Sequence, residues 1–323
     1  MAQHPILQVE NLTITLTKQR KRYTLVQSLS FELYEQQTLA IIGESGSGKT
    51  LTVHALLQLL PRPQFAVSGS IRFQGQELLS ASKATLRKII GTQIATIFQN
   101  PHASFNPVFT IEQQLQEIIR KHLHLSRDAE RETLLQALYE TGFHQPETCL
   151  KLYPHQLSGG MLQRVGIAMA LLCSPKILIA DEPTTALDVS IQYQILQLLK
   201  TLQEKTGMSL LMITHNMGVV AEIADHVLVL YGGCMAEKTS ATELFHNPAH
   251  PYTQDLLKAR PSVQGAVLRS FMSIPGHPPH YTALPSGCVY HPRCSRMVSS
   301  CQKQTPEESL IQEGHKVRCW LYD

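Results

Sequence analysis

The sequence has no apolar run approaching the roughly 18 to 20 residues that a membrane-crossing helix needs. Its opening, MAQHPILQVENLTITL, has neither the basic leader nor the apolar core of a secretory signal. From these two absences we expect a chain that remains in the cytoplasm, where thiols stay reduced. Charge is scarce too: charged residues make up 16%, and 28 basic against 25 acidic residues leave a formal net charge of +3. There is no concentrated basic face of the kind nucleic-acid readers carry, so no nucleic-acid partner is expected. The one basic cluster, KQRKR from Lys18 to Arg22, lies between two alternating stretches and reads as a solvated hairpin tip. Cysteine pairs at the close spacing of structural zinc sites are also missing. Cys149, Cys173 and Cys234 stand singly and read as ordinary small core or surface residues.

What is present is core. Apolar residues make up 43% of 323 residues, enough for one large domain with an appendage or for two domains, and wrong for disorder. Alternation in ILQVENLTITL and YTLVQSLSFEL predicts two antiparallel strands, and GSIRFQGQEL an edge hairpin. TLAIIG reads as a buried strand leading through a glycine-rich loop into the helix KTLTVHALLQLL. IATIFQ is a further short strand, followed by a helical block. Then KILIAD, SIQYQILQLLKTLQ, SLLMIT, MGVVAEIA and HVLVLY alternate strand with helix, the rhythm of a mostly parallel sheet covered by helices. We therefore expect an α/β domain over residues 1–258, with a helical subdomain inserted at about 100–173, and an extension over 259–323, where prolines multiply and periodicity fades.

Three stretches carry chemistry. GESGSGKT, comprising Gly43, Glu44, Ser45, Gly46, Ser47, Gly48, Lys49 and Thr50, fits the P-loop pattern between a strand and a helix. Its glycines let backbone N–H groups turn inward around phosphate oxygens at a helix N-terminus. Lys49 would reach the β- and γ-phosphates, and the Thr50 hydroxyl would bind Mg²⁺. KILIADE ends a buried strand in Asp181, suited to the Mg²⁺ shell, followed by Glu182, placed to orient or deprotonate an attacking water. LSGGMLQRVGIAMALL opens a helix at Ser158, with Gly159 and Gly160 leaving the first-turn N–H groups uncovered. A second anion site so far from the first suggests that two chains share each nucleotide.

In their order, GESGSGKT, LSGGM, ILIADEPTTALD and ITHN resemble the ATP-binding subunits of ABC transporters. ATIFQNPHASFNP, FHNPAHPYTQDLL, IPGHPP and the cysteine-rich tail look like the oligopeptide/dipeptide importer branch, which also handles nickel. The resemblance implies an α/β P-loop NTPase of the ABC type, with an inserted helical subdomain, an antiparallel β-subdomain and a cysteine-containing C-terminal extension. It implies that Gln99 joins the Mg²⁺ and water shell, and that His215 contacts the γ-phosphate. Ser158, Gly159 and Gly160 would contact ATP held by the partner chain, and Asp188 would cross between subunits. The chain departs from the common pattern at Met161, at Asn216 and at Gln36 and Gln37. The residue stacking on adenine is unassigned: Leu16 occupies the corresponding place and Tyr23 is the nearest aromatic.

By the same resemblance, the chain would hydrolyse ATP to drive import of peptides or similar small solutes. It would work at the cytoplasmic face of the inner (cell) membrane with a second related ATPase, most simply as a heterodimer, two permease subunits and an extracytoplasmic solute-binding protein. Nickel chelates and antimicrobial peptides are alternative solutes. A soluble ABC ATPase that remodels ribosomes or DNA is the alternative of a different class. Cys288, Cys294, Cys301 and Cys319 are spaced x5, x6 and x17. That matches neither structural zinc pairs nor bacterial ferredoxins. Similar tails imply a [4Fe–4S] cluster; zinc, or four unligated thiols, are the alternatives.

Overall fold

The computed structural model describes residues 4–185, 187–259 and 273–323. The chain forms two compact units, Met1–Ser80 with Ile213–Asp323, and Ala81–Met212.

In the first unit, Pro5–Lys18 and Lys21–Tyr34 pair antiparallel, with Lys18 opposite Lys21. The turn residues Gln19 and Arg20 both have positive φ (51° and 62°), the geometry that matches the twist of paired strands, so the basic cluster is a hairpin tip. Alternation buries Leu12, Ile14 and Leu16 on one strand and Leu29, Phe31 and Leu33 on the other. Phe65–Phe73 pairs on the far side of the first strand, and Gln76–Glu77 forms the edge. A second layer is built on Thr38–Ile42, buried at every residue and parallel to His226–Tyr231. That strand pairs antiparallel with Cys234–Ser240, which pairs in turn with His315–Val317, flanked by Ser309–Gln312.

The sequence pattern misses these last three strands, and the reason is visible. Cys234–Ser240 reads as polar, but Glu237 is fully buried because its carboxylate accepts from the Ala249 and His250 N–H groups and pairs with His315 Nε2. The helix after the P-loop spans Lys49–Leu56, shorter than the apolar pattern predicts. Gln58 turns left-handed (φ 55°), and Pro61 and Pro63 bar continuation.

In the second unit, Ile94–Ile97 runs parallel to Ile177–Asp181. Gln99 therefore lies two residues beyond its strand rather than at its end. Helices Ile111–His122, Arg127–Glu140 and Gly159–Leu171 enclose a core of Ile111, Leu115, Ile119, Leu134, Leu138, Leu162 and Val165. Thr110, Ser126 and Ser158 cap them, each hydroxyl accepting from a backbone N–H three residues on. Val189–Thr206 closes at Gly207 in the left-handed conformation (φ 70°). Among the described residues no helix is long and apolar enough to cross a membrane.

Candidate nucleotide site

The P-loop begins where the buried Thr38–Ile42 strand ends. Gly43 has φ +153°, and a Cβ there would lie 2.2 Å from the Leu230 carbonyl oxygen, so only glycine lets the chain leave the sheet at this point. Lys49 is 5% exposed and its ammonium donates to the carbonyls of Gly43 (2.7 Å) and Glu44 (2.9 Å) and to Ser47 Oγ (3.4 Å). The lysine thus fills the hollow of its own loop, held where an incoming phosphate would take over the charge. Ser45, Gly46 and Thr50 are exposed on the rim, while Ser47 is buried. His215, in the same unit, is exposed just beyond Ser209–Thr214. Next to it Asn216 caps Met217–Ile223, its Oδ1 accepting from Gly218 N (2.8 Å). An aspartate would make the same cap, which accounts for the tolerated departure from the family pattern.

The other predicted groups belong to the second unit. Asp181 ends its strand buried, and Glu182 has φ +48°, uncommon for a side chain of its kind and a form of strain found at functional sites. Glu182 Oε2 accepts from Gln99 Nε2 (2.8 Å) and from Thr185 Oγ1 (2.9 Å). Gln99 and Glu182 are 83 residues apart in sequence, so their meeting is a product of the fold. The carboxylate is oriented by two donors, as a group that must aim at a water requires. Gly160 has a second reason for being glycine: a Cβ would come within 2.8 Å of Ile191 Cγ2 and push apart two packed helices. Asp188 precedes Val189–Thr206 without a side-chain bond to that helix, and is exposed.

Sequence reasoning missed the residues that brace the P-loop. Tyr252, in the stretch FHNPAHPYTQDLL, accepts from Glu44 N at 2.8 Å. Arg293, beside a cysteine that drew attention to itself, pairs with the Glu44 carboxylate at 2.6 Å. Tyr231, Tyr252 and Tyr290 pack around them in tilted and edge-to-face pairs, with ring centres 4.6 to 5.2 Å apart. Tyr23, the nearest aromatic for adenine, packs edge-on against Tyr281 at 5.6 Å.

All seven cysteines are free thiols. Cys288, Cys294 and Cys319 are each raised by burial and, secondarily, by the charge of the other tail cysteines, Cys301 included, so the four lie within electrostatic reach of one another. Gly287 permits this: a Cβ there would meet the Cys301 carbonyl at 2.3 Å, and Cys288 N donates to that same carbonyl at 2.8 Å. Among the described residues, no group of three or more His, Cys, Asp or Glu is arranged to hold a metal ion.

A strand-to-helix P-loop in one unit, and a strand-end Asp–Glu pair with a glycine-started helix in the other, define an ATP-binding cassette. The ABC transporter family profile matches residues 26–185, and that of the oligopeptide/dipeptide transporter C-terminal region matches 236–301. The dipeptide transport ATP-binding protein DppD of Bacillus subtilis is 43% identical over 321 residues, covering 98% of this chain and 95% of that protein. The oligopeptide transport ATP-binding protein OppD of the same organism is 40% identical over 98% of this chain and 88% of its own length. DppD of Escherichia coli is 39% identical over 97% of this chain and 96% of its own length. Among solved structures, the dimeric ATP-binding cassette MJ0796 bound to ADP and Pi superposes with a TM-score of 0.65 at 26% identity, covering 73% of this chain and 98% of that one. The chain belongs to the ATP-binding proteins of ABC transporters, in the oligopeptide/dipeptide branch.

Proposed function

We propose that this chain is the ATPase that powers import of peptides, acting as a peripheral subunit at the cytoplasmic face of the cell membrane. One observation carries the reading: likeness to DppD extends through the cassette and the cysteine-bearing extension alike. An ATPase that remodels ribosomes or DNA is not favoured by relatives that match end to end and are named for transport. The division of labour is residues 1–258 for ATP, with the helical part at about 100–173, and 259–323 as the extension.

Gly43 to Thr50 bind the triphosphate through backbone N–H groups and the Lys49 ammonium. Thr50, Gln99 and Asp181 offer the oxygen donors that Mg²⁺ takes, and the ion neutralises charge on the β- and γ-phosphates when bound. Glu182, aimed by Gln99 and Thr185, polarises the water that attacks the γ-phosphate in line, and His215 holds a γ-oxygen. Ser158, Gly159 and Gly160 present uncovered helix N–H groups to the nucleotide of a second, related ATPase, and Asp188 crosses toward it. That pair drives two permeases supplied by a solute-binding protein. Reconstitution with the permeases in vesicles tests the solute: ATP-dependent uptake of labelled di- and oligopeptides is expected. Uptake of a nickel chelate or an antimicrobial peptide with no transport of ordinary peptides would overturn the peptide assignment.

A further reading, a [4Fe–4S] cluster held by Cys288, Cys294, Cys301 and Cys319, rests on the four-cysteine tail of the sequence and not on a metal-ready arrangement of its thiols. Four thiolates are its usual donor set. Its role would be structural. Anaerobically purified protein should contain about four irons per chain, and single serine replacements of these four should lower that content. Stoichiometric zinc, or no metal, would overturn the cluster.

A further inference from the structure

The most deeply committed side chain outside the catalytic set is that of Arg293. It is 5% exposed, and each guanidinium nitrogen is used. Nη1 and Nη2 donate to the two carboxylate oxygens of Glu44, at 2.6 and 3.2 Å. Nη1 also reaches Tyr231 Oη at 3.2 Å, Nε donates to the Pro275 carbonyl at 2.8 Å, and Nη2 donates to the Ile274 carbonyl at 3.3 Å. Glu44 is the second residue of the P-loop, and its backbone N–H is bound by Tyr252 Oη. A carboxylate beside a triphosphate site is a repulsive charge unless it is paired. A forked, always-charged partner removes that charge and fixes the loop's direction at once.

We propose that Arg293 is a positioning residue for nucleotide binding: by clamping Glu44 it neutralises a carboxylate next to the phosphates and ties the P-loop to the cysteine-bearing extension. The extension thereby takes part in ATP affinity without touching the nucleotide. This rests on residues 43–50 being the phosphate loop.

The test uses the full chain for direct binding of a fluorescent ATP analogue, and the reconstituted transporter for steady-state kinetics. Arg293→Met keeps the buried stem and deletes the charge. Because the lost interaction acts equally on ground and transition states, KM should rise while kcat stays within about twofold. The rise should be on the order of tenfold, from one uncompensated charge in a partly buried site. Adding Glu44→Gln to Arg293→Met should bring KM and analogue affinity back to within about threefold of wild type, because the repelling charge is gone. A merely structural arginine gives no such rescue. Arg293→Gln with and without Glu44→Gln makes the same comparison should the methionine variant melt below assay temperature. Unchanged KM in a folded Arg293 variant, or a double variant as weak as the single, overturns the proposal. Lys49→Ala separates the two readings. If it abolishes analogue binding while Arg293→Met is silent, the clamp alone fails. If Lys49→Ala binds normally, the phosphate-loop assignment fails with it.

Discussion

Gly43–Thr50 and the segment from Cys288 to Cys319 lie in the same unit, and their polar groups are satisfied over very different reaches of sequence. In the P-loop, the Lys49 ammonium donates to the carbonyls of Gly43 and Glu44 within its own loop, while Glu44 is braced from far along the chain by Tyr252 and Arg293. In the extension, Arg293 meets Glu44 across 249 residues, and His315 meets Glu237 across 78. A lysine that fills the hollow of its own loop depends mainly on local geometry, and its loss strikes binding while leaving the fold standing. A segment held by distant partners forms only when the rest has folded, so damage there should appear as lost stability, beside whatever Arg293 passes on to the P-loop.

The largest effect is expected at Glu182, the carboxylate proposed to polarise the attacking water. Glu182→Gln should lower turnover by roughly 10²- to 10⁴-fold, the usual worth of a general base, with ATP affinity and melting temperature nearly unchanged. Hydrolysis near the wild-type rate in the reconstituted complex would remove Glu182 from that role. Lys49→Ala deletes a charged donor to phosphate and should weaken ATP binding by about 10- to 100-fold at unchanged stability. Calorimetric titration with ATP reads it.

Where the partners are distant the order of effects should reverse. Glu237→Ala leaves two buried N–H groups and an imidazole without their acceptor, and should cost about 3 to 5 kcal/mol in urea unfolding. Limited proteolysis should cut beyond His246 before it cuts Gly43–Thr50; simultaneous cleavage would mean that the extension and the sheet unfold as one.

The smallest effect concerns His250. Burial lowers it from the ordinary 6.5 to about 4, and its Nδ1 accepts from Tyr252 N, a bond that protonation would break. Its folded pKa lies below its unfolded one, so between about 6.5 and 4 the unfolded chain binds the extra proton and stability falls as pH falls. The slope from this residue approaches roughly 1.4 kcal/mol per pH unit. Asparagine keeps the cap without titrating, so His250→Asn should flatten the dependence across that window. An unaltered profile would place the acid sensitivity elsewhere.

The elements that carry the proposed nucleotide site were legible because each rests on short-range rules. Apolar letters without interruption give the buried strands Thr38–Ile42 and Ile177–Asp181. Gly43 is dictated by a close backbone approach, and Ser158 by capping. The bond between Gln99 and Glu182 was not legible, since nothing local relates residues on two strand ends. Nor was the Cys234–Ser240 strand, whose burial depends on a carboxylate satisfied by groups that follow much later in the chain.

By itself, then, the sequence determined the phosphate loop, the Asp181–Glu182 pair and the glycine-started signature helix. Each needs only a strand end, a turn that glycine permits or a capped first turn, and those are fixed within about a dozen residues. Tertiary structure alone decided that Gln99 donates to Glu182, that Glu237 is met by Ala249, His250 and His315, and that Arg293 reaches Glu44. The physical reason is common to all three. Buried charges and donors take whatever partner the packed chain brings within about 3 Å, and that choice is made by the packing of whole elements.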